Sequence, residues 1–183
     1  MATALLLIDI QNDYFPSGTM ELEGSLEAGR RARELLEFFR GNNLPVVHIQ
    51  HVALRPGATF FLPDTEGVKI HILVEPRPSE VVFQKNYPNS FRETPLLEHL
   101  RGQGVDHVVV CGMMTHMCVD ATVRAAFDYH LTVTVVHDAC ATRALTFQGQ
   151  SVSAAQVQAA FLAALTVPYA RVVDTHEFLR DSR

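Results

Sequence analysis

The sequence predicts an α/β fold in which helices cover both faces of a mainly parallel sheet, a three-layer α/β/α sandwich. Short apolar runs suited to buried parallel strands recur along the chain, and helical patterns lie between most of them. Such alternation is typical of parallel strands joined by helical crossovers. With 183 residues, 48% of them hydrophobic, we expect a single domain over residues 1–183.

Six apolar runs are the predicted strands of this sheet. In open α/β sheets, ligands bind beyond the carboxyl ends of the strands, so residues that follow these runs are candidates for a site. The runs cover residues 4–10, 46–50, 81–84, 107–111, 132–137 and 170–173.

Helix start and stop signals separate several of the strands. Ser25 is a candidate N-cap of a first helix, which Gly41 can end. Thr94-Pro95 combines a cap with proline at the first helical position, and Gly102 follows as a stop signal. Ser153 and Gln156 have the spacing of a capping box.

One long connection, residues 52–79, interrupts this alternation. It holds four prolines, two glycines and the pair Phe60-Phe61, with little periodicity. A loop of this length inside a compact domain is usually functional. It suits a substrate lid or a subunit contact, and a surface excursion is the alternative.

Composition limits the partners. The net charge of −5, the pI near 6.0 and the scattered lysines and arginines give no basic footprint for nucleic acid, so we expect a small-molecule partner. The apolar run at residues 4–8 is too short to span a bilayer, so we expect no membrane partner. Three cysteines at wide spacing fit reduced thiols and a cytoplasmic location.

Cys118 is a candidate nucleophile because a strand pattern ends at Gly112 and a helix pattern begins at the cysteine itself. Backbone N–H groups and the dipole at a helix start favour the reactive thiolate and can hold an oxyanion. Judged alone, such a cysteine is more often a small buried apolar residue.

Asp9 and Lys85 strengthen this interpretation. Asp9 lies near the end of the first apolar run, where a carboxylate is costly to bury unless it is paired or has a task; capping a turn is the alternative. Lys85 directly follows the third run, where a solvated edge is the alternative. Because Asp9, Lys85 and Cys118 each follow a different strand, the fold would bring an acid, a cation and a thiol to one rim.

These residues lie in segments that resemble the isochorismatase-like cysteine hydrolase superfamily. The matching segments are residues 5–15, 82–85 with 89–91, 112–122 and 136–139. The resemblance implies a six-stranded, Rossmann-like sheet in the order 3-2-1-4-5-6, which places the first and fourth strands side by side. Asp9 and Cys118 would then be neighbours, with Lys85 reaching across from the third strand.

The resemblance also implies roles for these residues. The catalytic triad would be Asp9, Lys85 and Cys118, with Asp9 as the proton acceptor and Lys85 holding Asp9 and favouring both charged forms. The backbone N–H groups of Met114 and Cys118 would form the oxyanion hole. Related enzymes carry a cis peptide where Met113-Met114 falls.

Three histidines, His48, His51 and His71, raise the question of a metal. Metal-dependent nicotinamidases place an Asp-x-His pair after the second strand, but here His51 stands at the position of the Asp and Ala53 at that of the His. We therefore expect no metal and no other cofactor, which argues against nicotinamidase activity. His51 is instead a predicted substrate contact, while a zinc site of the three histidines is the alternative.

Aromatic residues near the predicted rim are candidate walls of the pocket, although each could equally belong to the core. Cys111 and Cys140 are weaker nucleophile candidates, and His116 is too close to Cys118 in sequence to act as its base. The candidate substrate-binding residues are Phe15, His51, Phe61, Tyr87 and Phe91.

The leading functional prediction is a metal-independent cysteine hydrolase that cleaves a C–N bond of a small amide, carbamoyl or lactam-like substrate through a thioester. A streptothricin-type lactam hydrolase is one specific possibility. Isochorismatase-type vinyl ether hydrolysis and a non-catalytic binding or assembly module with a vestigial triad are the alternatives. Relatives are commonly dimers or tetramers, and residues 159–165 and 52–79 are candidate contact surfaces of a homodimer or homotetramer.

Overall fold

A computed structural model describes residues 2–182, and the predicted α/β sandwich is confirmed. The strands are β1 (Ala2–Ile8), β2 (Val46–His51), β3 (Val81–Lys85), β4 (Val105–Met113), β5 (Thr132–Ala141), β6 (Leu145–Phe147), β7 (Gln150–Val152) and β8 (Arg171–Val173). Six of them form one parallel sheet in the order β3-β2-β1-β4-β5-β8. Since β8 is the sixth strand of this sheet along the chain, the implied order 3-2-1-4-5-6 is correct.

The antiparallel hairpin of β6 and β7 was not predicted. Its turn consists of Gln148 and Gly149, which both have positive φ, 49° and 80°. Two consecutive left-handed residues are typical of the tight turn that joins two hairpin strands. The hairpin lies outside the main sheet.

In the described part of the chain, five α-helices connect or follow the strands: α1 (Ser25–Gly41), α2 (Leu96–Gly102), α3 (Asp120–Asp128), α4 (Ala154–Leu165) and α5 (Thr175–Asp181). The capping box of Ser153 and Gln156 is present at the start of α4. The prediction that Ser25 caps α1 was wrong by one residue, because Gly24 occupies the cap position with a left-handed backbone. Pro95 likewise takes the cap position of α2.

The centre of the sheet is completely buried. Leu5, Leu6 and Ile8 of β1 and Val108–Val110 of β4 have no solvent exposure, as expected for strands covered on both faces. Helices α1 and α5 pack together against the sheet, and α3 and α4 form a second pair. None of the helices within residues 2–182 is long and apolar enough to cross a membrane.

The two central strands approach closely at Gly112, which pairs with Ile8. Gly112 has a φ of 132°, and a Cβ atom at this position would overlap the carbonyl oxygen of Ile8. Only glycine combines this backbone angle with the space available. This close approach fixes the end of β1 beside the segment that follows β4.

Candidate active site

The structure brings Asp9, Lys85 and Cys118 together at the carboxyl ends of the strands. The Lys85 Nζ atom lies 2.7 Å from Asp9 Oδ2 and 3.3 Å from Cys118 Sγ, and it donates a hydrogen bond to each. All three residues are almost completely buried. An acid, a cation and a thiol from separate parts of the sequence therefore form one contact group.

The ends of β1 and β3 position the two charged side chains. Asp9 follows β1 directly with a φ of 50°, so the chain turns away from the sheet at this residue. Its N–H group still donates to the carbonyl oxygen of Ile49. Lys85 is the last residue of β3 and pairs with His51, the last residue of β2. Both side chains consequently stand at the same rim.

Cys118 is positioned by a local departure from α-helical geometry. A π-helical turn, Thr115–Val119, precedes α3, whereas the sequence pattern predicted a helix starting at the cysteine. The carbonyl oxygen of Met114 accepts hydrogen bonds from the N–H groups of Met117 and Val119. The Met113-Met114 peptide is cis. The oxyanion hole of Met114 and Cys118 N–H groups stays a prediction.

The ammonium group of Lys85 has three acceptors for its three protons. Besides Asp9 and Cys118, it donates to His51 Nδ1 at 3.1 Å. Burial lowers the pKa of Lys85, but Asp9 and Cys118, which both accept hydrogen bonds from its ammonium group, outweigh burial, and the net pKa is raised. Lys85 is therefore a fixed positive charge at neutral pH.

The thiol of Cys118 differs from the sequence-based expectation of a thiolate. Burial raises the pKa of this thiol, the Asp9 charge raises it further, and the opposing effect of Lys85 is smaller. Removal of a charged sulfur from water disfavours the thiolate. The resting site thus holds a protonated thiol, which needs a base before it can attack.

Asp9 carries an oxygen suited to that task. Its Oδ2 atom accepts from Lys85, while its Oδ1 atom is buried and has no hydrogen-bond partner among residues 2–182. Buried polar atoms without partners are rare in folded proteins and call for an explanation. Ligand-type atoms of Asp9, His51 and Cys118 all lie within 4.8 Å of one another, so a carboxylate oxygen is near the sulfur.

The three histidines considered for a metal have separate partners. His48 Nε2 lies 3.0 Å from Glu80 Oε2, and the ring of His71 stacks on Phe15 with the centroids 3.6 Å apart. Within residues 2–182 the one converging set of potential ligands is Asp9, His51 and Cys118. The Lys85 ammonium bonds to each of these three side chains, so its charge would repel a metal ion there.

A cavity of about 110 Å³ lies above the thiol. Its walls include the rings of Tyr14, His51, Phe60 and Phe61, and its floor includes Met117 and Cys118. The ring centroids of Tyr14 and Phe61 are 4.5 Å apart, and those of Phe60 and Phe61 are 5.0 Å apart. The site is therefore a small aromatic pocket that opens onto the sulfur.

Two of the five predicted pocket residues, His51 and Phe61, line this cavity. The other three do not. Phe15 is buried against His71, the Tyr87 ring lies 3.6 Å from the Arg92 guanidinium carbon, and Phe91 packs edge-on against Tyr129.

Sequence reasoning missed several cavity residues that stand next to residues it had selected. Tyr14 precedes Phe15, Phe60 precedes Phe61, and Met117 precedes Cys118. The signal in the sequence was that each of these residues is next to a predicted site residue. Which of the two neighbours faces the cavity depends on local turns, which the hydrophobic pattern does not define. Arg55 also lines the cavity and was not predicted.

Residues that follow β1 form hydrogen bonds with the 52–79 connection and hold it beside the cavity. Asp13 Oδ2 accepts from the Phe61 N–H group at 2.6 Å. Gln11 Nε2 donates to the carbonyl oxygens of His51 at 2.9 Å and Val68 at 2.7 Å. These buried bonds tie the connection to the end of β1.

The other nucleophile and base candidates lie elsewhere. Cys111 and Cys140 are buried outside the cavity, and burial raises both pKa values, that of Cys140 to about 12. His116 Nδ1 lies 2.5 Å from Thr142 Oγ1 and has no hydrogen bond to the Cys118 side chain.

Comparison with known proteins agrees with the fold. Residues 3–168 match the Isochorismatase domain family. The chain is 49% identical over 180 residues to the uncharacterized isochorismatase family protein YddQ of Bacillus subtilis, covering 98% of this chain and 100% of that protein. Streptothricin hydrolase of Streptomyces noursei is 39% identical over 139 residues, 76% of this chain and 54% of the hydrolase. The chain thus spans about half the length of that enzyme.

Two solved structures extend the comparison. An isochorismatase hydrolase structure from Oleispira antarctica has a TM-score of 0.94 and 45% identity, covering 98% of this chain and 96% of that one. N-carbamoylsarcosine amidase from Thermoplasma acidophilum has a TM-score of 0.81 and 25% identity, covering 96% and 97%. From the domain match, the sequence identity and the shared architecture, it follows that this chain belongs to the isochorismatase family of hydrolases.

Proposed function

We propose that the protein is a cysteine hydrolase that cleaves the C–N bond of a small amide, carbamoyl or lactam-like substrate through a thioester on Cys118. The observation that carries this proposal is the buried contact of Lys85 Nζ with both Asp9 Oδ2 and Cys118 Sγ. Streptothricin hydrolase and N-carbamoylsarcosine amidase among the relatives also favour C–N chemistry.

The first half of the proposed reaction uses the protonated thiol as its starting point. The Cys118 proton moves to Asp9 Oδ1 while the sulfur attacks the substrate carbonyl carbon, whose oxygen becomes an oxyanion. The N–H groups of Met114 and Cys118 hold that oxyanion. The C–N bond then breaks, and Asp9 returns its proton to the leaving nitrogen, which departs as ammonia or an amine.

The second half releases the enzyme. Water attacks the thioester carbon while Asp9 accepts its proton, the C–S bond breaks, and the proton returns to the sulfur as the carboxylic acid leaves. Lys85 stays charged throughout and stabilises the carboxylate and the thiolate when each forms.

The size of the cavity supports a small substrate. Pockets for drug-sized ligands usually measure about 300–1,000 Å³, whereas this one measures about 110 Å³. Its aromatic walls suit a flat group such as an amide.

Hydrolysis of a compound library tests this function. The library contains small amides, ureas, lactams, esters and vinyl ethers, and release of ammonia, amine or alcohol is measured for wild type, Cys118→Ala and Cys140→Ala. We expect amide or carbamoyl turnover that Cys118→Ala abolishes and Cys140→Ala, a buried cysteine outside the cavity, retains. Turnover of vinyl ethers alone, unaffected by Cys118→Ala, would overturn the proposal.

A further inference from the structure

We infer that the substrate carries a carboxylate at the end away from the scissile bond, and that Arg55 and the Nε2–H group of His51 bind it. This inference rests on the proposed function, because it concerns the substrate of the same site. It assigns a specificity role to two residues that the proposed chemical steps do not use.

The first observation concerns the tautomer of His51. Lys85 Nζ lies 3.1 Å from His51 Nδ1, and an ammonium nitrogen can only donate a hydrogen bond. Nδ1 must therefore keep its lone pair free of a proton. In a neutral imidazole the remaining proton is then on Nε2. Burial, followed by the charge of Lys85, lowers the His51 pKa to about 4, so the ring is neutral at physiological pH.

The Nε2–H group of His51 is available to a ligand. The ring lines the cavity, and Nε2 makes no hydrogen bond to another residue in the part of the chain that the structure describes. Because the proton stays on Nε2, this group can bind only a hydrogen-bond acceptor of the substrate. His51 cannot exchange donor and acceptor roles without losing its bond to Lys85.

The second observation is a cation without an ion-pair partner: Arg55 is an exposed residue that lines the same cavity, and its charge contributes to lowering the pKa of His51. Arg55 lines the cavity, and within residues 2–182 no carboxylate oxygen lies within 4.0 Å of it. Arg40 and Arg124 show the contrasting arrangement, since each forms a salt bridge with a glutamate or an aspartate. A guanidinium at a cavity wall is suited to a carboxylate, which its planar fork can hold with two hydrogen bonds.

The charge of the residues that line the cavity also favours a substrate carboxylate. Among the residues that the structure describes, no aspartate or glutamate lines the cavity, and the nearby Asp9 is already neutralised by Lys85 at 2.7 Å. Arg55 is therefore the uncompensated charge of the lining. Asn86 Nδ2 donates one of its two protons to the Val52 carbonyl oxygen, which orients the amide. Its oxygen makes no hydrogen bond within residues 2–182 and can accept from a substrate N–H group. Arg55 and His51 can thus donate hydrogen bonds to an anion, and the oxygen of Asn86 can accept one from an N–H group. These three groups fit a short amide that bears a carboxylate.

Matched substrate pairs test the inference. The pairs are monoamides of short dicarboxylic acids, such as succinamate, and the corresponding diamides, which replace the carboxylate with a neutral group of similar size. For wild type we expect kcat/KM to be about 10- to 100-fold higher on the carboxylate member. Arg55→Gln should remove most of this preference, mainly by raising KM. Arg101→Gln, an exposed arginine of α2 outside the cavity, is the charge-matched control and should keep it.

A binding experiment separates this inference from the proposed reaction. Succinamate and succinamide are titrated into Cys118→Ala and into Cys118→Ala/Arg55→Gln, with the thermal unfolding midpoint as the readout. We expect succinamate to stabilise the single variant and to lose that effect in the double variant. Equal effects of the two compounds, or an unchanged effect in the double variant, would overturn the carboxylate inference even if amides are hydrolysed. If succinamate binds through its carboxylate but no monoamide or diamide is hydrolysed, the proposed function is contradicted and the carboxylate inference is not.

Discussion

Lys85 is the residue on which the chemistry of the site depends, because its single ammonium group contacts Asp9, His51 and Cys118 at once. Two consequences follow from that geometry. One carboxylate oxygen of Asp9 is occupied and the other is free, and the imidazole of His51 has one defined tautomer. The hydrogen bonds of Lys85 thus determine which oxygen of Asp9 can act as a base and which nitrogen of His51 carries a proton.

Replacing Asp9 with asparagine removes the proposed base while keeping the shape of the side chain. We expect kcat to fall by about 10²- to 10⁴-fold, the usual contribution of a positioned acid or base. Asp106→Asn, at the exposed start of strand β4 away from the rim, is the matched control and should leave kcat unchanged. Steady-state kinetics with circular dichroism as a check on folding measures both. Equal losses in the two variants would contradict the role of Asp9.

The reactivity of Cys118 with iodoacetamide should rise with pH without reaching a plateau below about pH 9. Burial raises the pKa of its thiol above the ordinary value of 9.0, so the thiolate fraction keeps increasing over this range. Mass spectrometry of the alkylated peptide at a series of pH values measures the rate. A plateau near neutral pH would mean that Lys85 and the helix start outweigh burial after all.

At the scale of single elements, the junctions between strands and helices position the site. The sequence pattern predicted the central strands and the long helices because hydrophobic periodicity and capping residues are local signals. It did not predict the π-helical turn before Cys118 or the hairpin of β6 and β7. Tyr14, which faces the cavity beside the buried Phe15, was missed for the same reason, because a short turn decides which ring faces inward.

Gly112 is the junction most sensitive to substitution. Gly112→Ala places a methyl group on the Ile8 carbonyl oxygen and forces a φ of 132° on alanine, so we expect a loss of about 3 kcal/mol or more in the free energy of unfolding. Gly102→Ala, where the added atom meets nothing within 4 Å, is the control. Urea denaturation of both variants gives the comparison. Similar stabilities would show that β1 and β4 approach less closely than described.

Glu80, which directly precedes β3, links this strand to α1 and β2 at the opposite end of the sheet. Its carboxylate accepts from Arg40 of α1 at 2.7 Å and from His48 Nε2 of β2 at 3.0 Å. Burial raises the pKa of Glu80, but hydrogen bonds from Arg40, the Arg77 N–H group and His48 outweigh it and lower the pKa to about 2. A carboxyl group with a lowered folded-state pKa stabilises the fold above its ordinary pKa of 4.5.

Glu80→Gln should therefore reduce stability in a pH-dependent way. At pH 7 we expect a loss of about 1–3 kcal/mol, the usual value for hydrogen bonds to a charged group. The difference from wild type should shrink as pH falls from 4.5 toward 2, because wild-type Glu80 then becomes protonated too. Urea denaturation at several pH values measures it. A difference that is independent of pH would indicate lost packing instead.

At the scale of the whole molecule, the outer face of α4 is the feature that a monomer does not explain. Ala155, Ala159, Ala160 and Ala163 are exposed, while Val157 and Leu165 on the inner face are buried. A contiguous exposed apolar surface is typical of a contact site for another protein. This surface supports the prediction of a homodimer or homotetramer.

Ala160→Glu tests that prediction by placing a charge on the exposed face. We expect wild type to sediment as a dimer or tetramer at micromolar concentration and Ala160→Glu to dissociate, because an unpaired charge is costly to bury in an interface. Analytical ultracentrifugation measures both. Glu98→Gln, an exposed position of α2, serves as a control that should not change the association. A monomeric wild type would contradict the prediction.

Topology was the most predictable property of the molecule. The alternation of elements predicts the α/β sandwich, and the resemblance of the segments around Asp9, Lys85 and Cys118 to a known family implies the order of the strands. The protonation state of Cys118 was not predictable, since it depends on how deeply the thiol is buried. The composition of the cavity was not predictable either, since Phe60, Phe61 and Arg55 reach it from a connection without periodicity. Substrate selection therefore depends on the least regular part of the chain.

The most direct test of the proposed chemistry is the intact mass of the protein during turnover. Wild type is quenched with acid within milliseconds to seconds of mixing with a substrate amide, and its mass is compared with those of Cys118→Ala and Cys140→Ala. We predict an added acyl mass on wild type and Cys140→Ala, localised to Cys118 by peptide mapping, and none on Cys118→Ala. Hydrolysis of the amide at an undiminished rate by Cys118→Ala, without an acyl adduct on any protein, would contradict a thioester mechanism.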